Sequence, residues 1–215
     1  MELAIFTRYP RPGHAKTRLI PKLGANGAAQ LHSQLVKHTL KQARGLQQSL
    51  PIQIKIYYTG ASLESMTAWL GAGLDYQIQV DGDLGTRLEA ALDQAWLRQI
   101  HRLVIIGTDC PSLDVHILGM AFHLLDQGEV VIGPAVDGGY YLIGFNLLML
   151  QRDLEKAQGL LRDMPWSSDR LLAETQAKAA TLQLQINYLP VLADIDRPED
   201  LARLDPDQWS FSPRE

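Results

Sequence analysis

LAIF at residues 3–6 and LVIIG at residues 103–107 are the two stretches that decide the fold of this chain. Both are continuous apolar runs, which is typical of strands buried on both faces in the middle of a parallel sheet. Longer segments with apolar residues at three- and four-residue spacing separate such runs, and this spacing predicts amphipathic helices. The alternation predicts an α/β fold: a single three-layer α/β/α sandwich with a mainly parallel, mixed central sheet.

The other predicted elements lie between these two strands in the sequence or after the second one. Further strands are expected over 52–58, 76–80, 130–133, 140–145 and 186–191. Helices are expected over 28–48, 86–99, 114–126 and 168–179, with a short additional helix over 62–70. No linker-like stretch divides the chain, so the sequence predicts one domain over residues 1–205, followed by a C-terminal tail over 206–215.

The composition excludes several classes of protein. The chain has 215 residues, 46% hydrophobic and 20% charged, which is ordinary for a globular protein with a sizeable core. Cys110 is the only cysteine, which excludes a disulfide scaffold. The sequence contains no run of about 18 apolar residues, so no membrane span is predicted. The N-terminus lacks the pattern of a signal peptide. We therefore expect a cytoplasmic protein, and the pI near 5.9 argues against general nucleic-acid binding.

The charges are distributed unevenly along the sequence. Residues 3–63 hold nine Lys and Arg and no acid, whereas residues 64–215 hold 23 acids and 11 bases. Five of the nine bases fall within residues 8–22, directly after the first predicted strand. Two prolines and Gly13 prevent a helix from starting there, which leaves backbone amides free to bind an anion. This pattern favours a phosphate site over a merely exposed basic loop, although the spacing of a P-loop is absent.

Two acidic motifs follow predicted strands in the middle of the chain. GTDCP (107–111) places Asp109 after the most apolar strand, where a carboxylate can hold a hard cation or cap the next turn. GPAVDGGYYLIG (133–144) offers Asp137 as a base or hydrogen-bond acceptor, with a plain β-turn as the alternative. Ligands gather at the carboxyl ends of strands in such sheets, so both motifs are candidates for a site.

Two further acidic motifs allow both a structural and a functional interpretation. In DGDLGTRL (81–88) a Gly-rich turn leads from a strand into a helix, with Asp83 available to face a ligand. In DIDRPEDL (194–201) Asp194 and Asp196 lie two residues apart, on one side of an extended chain. A metal ligand and a helix cap both fit this second spacing.

Other reactive residue types form no recognisable motif. The six histidines show no repeated metal-ligand spacing, so they are interpreted as structural or surface residues. Cys110 has no nearby histidine and is interpreted as a small buried residue rather than a nucleophile. The sequence contains no GxSxG, HExxH or CxxC motif.

The order of the motifs resembles the DUF2064 family of the GT-A-like nucleotide-diphospho-sugar transferase superfamily. The matching segments, which together extend from about Leu3 to Leu204, are PxPGxxKTRL (10–19), GDLGxRL (82–88), GTDCP, GPAxDGGYYLIG and DIDxPEDL. KTRL is also similar to the KSRL of phospholactate guanylyltransferases, and DIDxPED to a segment of molybdenum-cofactor nucleotidyltransferases. The resemblance implies a GT-A-like sandwich with a nucleotide at the ends of its first strands.

The resemblance also implies a role for each matched position. The nucleotide-binding positions would be Phe6, Thr7, Arg8, Gly13, Lys16, Arg18, Asp83 and Gly85. The positions that face the sugar or acceptor would be Asp137, Gly138, Gly139 and Tyr140. The residues that hold Mg²⁺ or Mn²⁺ would be Asp109 and Asp196. The catalytic positions would be Lys16, Arg18, Asp109 and Asp137.

Three functions are compatible with this resemblance. The first is a metal-dependent transferase that uses a nucleotide-diphospho-sugar donor and a small-molecule acceptor. The second is a guanylyltransferase-like nucleotidyltransferase that releases pyrophosphate, and the third is a catalytically silent nucleotide-binding protein. The DxD motif common in glycosyltransferases of this fold is missing, because Gly107 and Thr108 precede Asp109. Single-Asp sites are more usual in the nucleotidyltransferase branch.

Overall fold

A mixed sheet forms the middle layer of the protein, whose computed structural model describes residues 1–206, 208 and 209. Its strands are β1 (Glu2–Arg8), β2 (Gln53–Thr59), β3 (Asp75–Ile78), β4 (Arg102–Ile106), β5 (Val130–Pro134), β6 (Tyr140–Asn146) and β7 (Ile186–Tyr188). Their order across the sheet is β3-β2-β1-β4-β6-β5-β7. Only β6 runs antiparallel to its neighbours among these described strands. The predicted mainly parallel, mixed sheet is therefore confirmed.

Helices cover both faces of this sheet. They are α1 (Ile20–Gln47), α2 (Leu63–Leu70), α3 (Leu84–Leu97), α4 (Val115–Leu124), α5 (Leu154–Leu161) and α6 (Leu171–Leu182), with 3₁₀ turns at Thr17–Leu19 and Pro198–Arg203. One buried cluster joins the sheet to α1, α2 and α4, and a second joins it to α3, α5 and α6. The predicted three-layer sandwich is confirmed.

The two apolar stretches form the central strands because both faces of the sheet are covered. Leu3 and Ile5 of β1 belong to the cluster with α1, whereas Ala4 belongs to the cluster on the opposite face. In β4, Val104 and Leu103 divide between the two clusters in the same way. Successive strand side chains point to opposite faces, so a strand covered on both sides needs apolar residues at every position.

Two helices differ from the prediction. Helix α1 begins at Ile20 rather than near residue 28, and it is interrupted at Gly24, whose φ of 70° and ψ of 167° are not helical. Glycine adopts this positive φ without the steric penalty of a side chain. Helix α5 was not predicted, although its apolar residues Leu154, Ala157, Leu160 and Leu161 recur at three- and four-residue spacing.

The predicted tail over 206–215 lies mostly outside the described residues, of which it contains only 206, 208 and 209. Trp209 is buried in the same cluster as Leu31 and Leu35 of α1, so the chain still packs against that helix at this point. No helix in the part of the chain that the structure describes is long and apolar enough to cross a membrane.

The sheet topology brings the acidic and basic motifs to one edge. Strands β1 to β5 are parallel, so the segments that follow β1 and β4 emerge on the same side. Strand β6 is antiparallel, which places the hairpin between β5 and β6 on this side too. The basic loop, Asp109 and Asp137 therefore share the carboxyl edge of the sheet.

Candidate functional site

Lys16 joins three segments of chain at this edge. Its backbone has a left-handed φ of 48°, a conformation that non-glycine residues adopt rarely. Its side chain is 4% exposed, and Nζ lies 2.7 Å from Oδ1 of Asp109. Nζ also donates to the carbonyl oxygen of Ile195, whose own N–H donates to the carbonyl of Asp109 at 2.9 Å. The ammonium group is therefore held in one place by the folded chain.

A second ion pair lies beside the first and is much more exposed. Arg18 donates to the Oδ2 atom of Asp196, and both side chains are about half exposed. Exposed pairs of this kind contribute only about 0–1 kcal/mol. Because so little is lost when the pair separates, Arg18 can exchange Asp196 for an anionic ligand.

A cavity of about 440 Å³ runs along the ends of β3, β2, β1 and β4. We refer to it as the strand-end cavity. At the end near β4 it is lined by Lys16, Arg18, Thr108, Asp109 and Asp196, and Arg8 lies between the two ends, beside Thr59. At the end near β3 it is lined by Phe6, Thr7, Thr59, Gln79, Leu84 and Arg87. One end is therefore strongly charged, and the other combines apolar with neutral polar groups and one arginine.

His32 of α1 also lines this cavity and was not identified from the sequence. The side chain is 6% exposed, and Nε2 lies 2.9 Å from the carbonyl oxygen of Arg8, to which it donates. Burial lowers the pKa of His32, against the opposing effect of the Asp109 charge. The neutral ring therefore fixes the end of β1. His14, also interpreted as structural or surface, lines the cavity as well.

Three of the predicted nucleotide-binding residues lie outside the residues that line the cavity. Asp83 caps α3, where Oδ1 accepts hydrogen bonds from N and Oγ1 of Thr86, both at 2.8 Å. These hydrogen bonds lower the pKa of Asp83. Gly13 occupies an exposed turn with a φ of 82°. Gly85 is buried beneath Trp166, and the direct contacts of these three residues with a nucleotide stay predictions.

Replacing Gly85 with alanine is expected to destabilise the protein by about 1–3 kcal/mol, since an added Cβ overpacks the site. That Cβ would lie 2.5 Å from Nε1 of Trp166 and 2.6 Å from the carbonyl oxygen of Leu161. The matched control is Gly119→Ala in α4, where the nearest atom is 3.6 Å away. The control is expected to be neutral or stabilising by up to about 1 kcal/mol. Urea unfolding measures both, and equal stabilities of the two variants would contradict this packing.

A second cavity of about 420 Å³ adjoins the first and shares Arg18 and Asp196 with it. We refer to it as the hairpin cavity, because Val136 and Asp137 of the β5–β6 hairpin line it. Its other lining residues are Ser167, Ser168, Asp169, Asp194, Arg197, Asp200 and Arg203. The two cavities together provide space for two ligands that meet near Asp196.

The hairpin has a fixed shape. Oδ1 of Asp137 accepts a hydrogen bond from the N–H of Gly139 at 2.9 Å. Gly138 has a φ of 88°, and an added Cβ would lie 2.1 Å from the carbonyl oxygen of Asp169. This close approach requires glycine. Tyr140 lies in neither set of lining residues and packs edge-on against Trp166, with ring centroids 6.1 Å apart.

Asp194 lies between the cavities close to two other carboxylates. Burial raises the pKa of Asp194 to about 6, and the charges of Asp137 and Asp109 add to the effect. Carboxylate oxygens are the ligands that Mg²⁺ prefers in proteins, and a divalent cation would relieve their repulsion. The donor set therefore fits such a cation in its chemistry. Within the described residues, no three His, Cys, Asp or Glu side chains already form a metal-holding group.

Comparison with known proteins identifies related sequences and folds. The model of the DUF2064 family, "Uncharacterized protein conserved in bacteria", matches residues 40–168. The basic loop and the segment around Asp196 lie outside that range. A solved structure from Desulfovibrio desulfuricans G20, provisionally named a nucleotide-diphospho-sugar transferase, is 30% identical with a TM-score of 0.80. The similarity covers 91% of this chain and 82% of that one.

More distant solved structures share the fold alone. CMP:2-keto-3-deoxy-manno-octonic acid synthetase, complexed with CTP, is 11% identical with a TM-score of 0.57, over 94% of this chain and 95% of that chain. Rv0371c from Mycobacterium tuberculosis H37Rv, complexed with manganese, is 18% identical with a TM-score of 0.54, over 94% of this chain and 97% of that chain. No curated protein matches the sequence.

Proposed function

Because the chain belongs to the DUF2064 family and has the GT-A-like fold of the nucleotide-diphospho-sugar transferases, we propose that it is a metal-dependent transferase with a nucleotide-diphospho-sugar donor. The observation that carries this proposal is the buried ammonium of Lys16, 2.7 Å from Asp109 at the charged end of the strand-end cavity. This arrangement combines a fixed cation for phosphate with a carboxylate for a metal ion.

The basic residues stabilise the charge that develops on the leaving group. Lys16 acts as a fixed point charge, and Arg18 binds phosphate oxygens in place of Asp196. Arg8 donates from Nη1 to the carbonyl oxygen of His14 at 2.9 Å, which keeps its guanidinium at the cavity wall. Such groups act most strongly where the protein has oriented them in advance.

A divalent cation would be held by Asp109 and Asp196. Asp194 is the alternative to Asp196, since its pKa responds to the charge of Asp109, while Asp196 is paired with Arg18. When bound, the cation neutralises charge on the phosphate oxygens. The manganese complex of Rv0371c, which shares the fold, supports this part of the proposal.

The acceptor would occupy the hairpin cavity. There Asp137 lies on the hairpin with one carboxylate oxygen engaged by Gly139, which leaves the other oxygen to take a proton from the attacking hydroxyl. The hydroxyl oxygen bonds to the anomeric carbon of the sugar, and the bond from that carbon to the β-phosphate oxygen breaks. The nucleoside diphosphate leaves from the strand-end cavity.

Nucleotidyl transfer is the second candidate, favoured by the single aspartate in GTDCP. In that reaction an acceptor phosphate oxygen attacks the α-phosphorus of a nucleoside triphosphate, and pyrophosphate leaves. The same basic residues would stabilise that leaving group.

A thermal-unfolding screen distinguishes the candidates. Nucleoside triphosphates and nucleotide-diphospho-sugars are compared with and without Mn²⁺, and the correct donor at about 100 times its Kd is expected to raise Tm by roughly 5–10 °C. In Asp109→Asn the increment due to Mn²⁺ is expected to vanish. Release of nucleoside diphosphate or of pyrophosphate, with a bacterial metabolite extract as acceptor source, then identifies the reaction. Binding without either product would indicate the silent alternative, and no Tm shift with any nucleotide would contradict the proposal.

A further inference from the structure

Arg87 lines the strand-end cavity with a guanidinium that is only partly satisfied by hydrogen bonds. It lies in the first turn of α3, half-buried, and its Nε is buried without a hydrogen-bond partner in the described structure. Its Nη1 reaches only Oε1 of Gln79, at a long 3.5 Å. Within the described residues no carboxylate lies within ion-pair distance of it. Nη2 also has no hydrogen-bond partner in the described structure but is not buried, so together with the weakly bonded Nη1 it is the donor that a ligand in the cavity can reach.

Gln79 is positioned to orient Arg87. Its Nε2 donates to the carbonyl oxygens of Thr7 at 3.2 Å and Tyr57 at 2.8 Å, and its backbone N–H donates to the carbonyl of Tyr58. Both amide hydrogens are therefore engaged, and Oε1 faces Arg87. Gln79 has no donor left for a ligand, so Arg87 supplies the charged donors at this end, beside the hydroxyl group of Thr59.

The strand order separates Arg87 from the phosphate-binding residues. Gln79 follows β3 and α3 comes next, whereas Asp109 follows β4, and β2 and β1 lie between these two strands. Phe6 stacks on Tyr57 at a centroid distance of 5.0 Å beneath this end, and Leu84 lines it too. A nucleotide whose phosphates contact Lys16 therefore extends its base toward Arg87 and an apolar wall.

From this arrangement we infer that Arg87 selects a 6-keto purine, guanine or hypoxanthine, by donating to its O6 and N7 atoms. A guanidinium is a fork of donors with no acceptor, and O6 and N7 are the pair of adjacent acceptors that such a fork fits. Adenine carries an amino donor in place of O6, which would face the donors of Arg87. The inference rests on the proposed function, because it assumes that the phosphates lie at Lys16.

Calorimetric titration with GDP, IDP, ADP and 7-deaza-GDP in the presence of Mg²⁺ tests this inference. GDP and IDP are expected to bind alike, whereas ADP binds roughly 5- to 150-fold more weakly. 7-deaza-GDP, which lacks N7, is expected to fall between them. In Arg87→Met the affinities for GDP and ADP become equal through loss of GDP affinity, while the control Arg44→Met, in a residue remote from this cavity, retains the wild-type preference.

Each alternative binding result would contradict either the base assignment or the proposed function. Equal binding of GDP and ADP by the wild-type protein, or a preference for ADP, overturns the base assignment alone. An equal loss of affinity for GDP and ADP in Arg87→Met overturns it as well and makes Arg87 a phosphate contact. Failure of every nucleoside diphosphate to bind overturns the proposed function together with this inference. Thermal unfolding of Arg87→Met at the wild-type temperature excludes misfolding as the cause.

Discussion

Turnover of the Lys16→Ala variant is expected to fall by about 10²–10³-fold relative to the wild-type protein, with the fold intact. The ammonium is held by Asp109 and by the carbonyl of Ile195 before any ligand binds. The wild-type protein therefore needs little reorganisation when charge develops on the leaving phosphate, and alanine removes this advantage. Steady-state release of the nucleoside diphosphate or of pyrophosphate measures the effect.

The matched control for this variant is Lys22→Ala. Lys22 belongs to the same basic segment, but it is exposed and is not among the residues that line the strand-end cavity. It contributes net charge without a fixed position, so turnover is expected to stay near the wild-type value. Undiminished turnover of Lys16→Ala would contradict the site assignment. An equal loss in both variants would indicate general attraction of anions rather than a positioned cation.

The Arg98→Met variant is expected to unfold with about 3–5 kcal/mol less free energy than the wild-type protein. Glu2 in β1 is 0% exposed, and Nη2 of Arg98 donates to its Oε1 at 2.9 Å. Without the arginine, a buried carboxylate loses its counter-charge and its donors. Urea unfolding measures the free energy of each variant.

Two further variants separate this explanation from a general effect of removing arginine. In Glu2→Met/Arg98→Met both charges are absent, so most of the lost stability is expected to return. In Arg162→Met an exposed arginine loses its pair with Glu89, and a change of no more than about 1 kcal/mol is expected. If the double variant were no more stable than Arg98→Met, the buried carboxylate would not be the cause.

The central strands could be predicted because burial on both faces leaves a continuous apolar run, as in LAIF and LVIIG. Helix α5 was missed although it was predictable, since Leu154, Ala157, Leu160 and Leu161 recur at three- and four-residue spacing. The start of α1 was obscured by Gly24, which usually marks a break, although Pro21 lies in the first turn, where proline favours a helix start. Gly24 does interrupt the helix, but the helical path resumes after it.

The site was predictable where its residues directly follow strands. Lys16 and Asp109 were expected at one edge of the sheet, and the structure places them 2.7 Å apart. His32 and Arg87 do not directly follow a strand, and Gln79, which follows β3, fell inside the strand predicted over 76–80. His32 occupies an inward position on a long helix, and Arg87 matters only because α3 begins beside β3 at the sheet edge. Their relevance depends on tertiary neighbours that the order of residues in the chain does not reveal.

The role of Asp83 could not be decided from the sequence for a similar reason. An aspartate before a helix fits both a cap and a ligand contact, and here its Oδ1 caps α3 through Thr86.

The excess of bases in the first part of the chain also divides into distinct groups. Lys16 and Arg18 line the strand-end cavity, whereas Lys37 and Lys41 lie on an exposed face of α1.

A crystal structure of the protein with GDP and Mn²⁺ tests the central claim most directly. The account predicts that the diphosphate lies in the strand-end cavity with an oxygen within about 3 Å of Nζ of Lys16. It also predicts that Arg18 has left Asp196 to contact a phosphate. A diphosphate bound elsewhere on the molecule, or bound in this cavity without contact to Lys16, would contradict it.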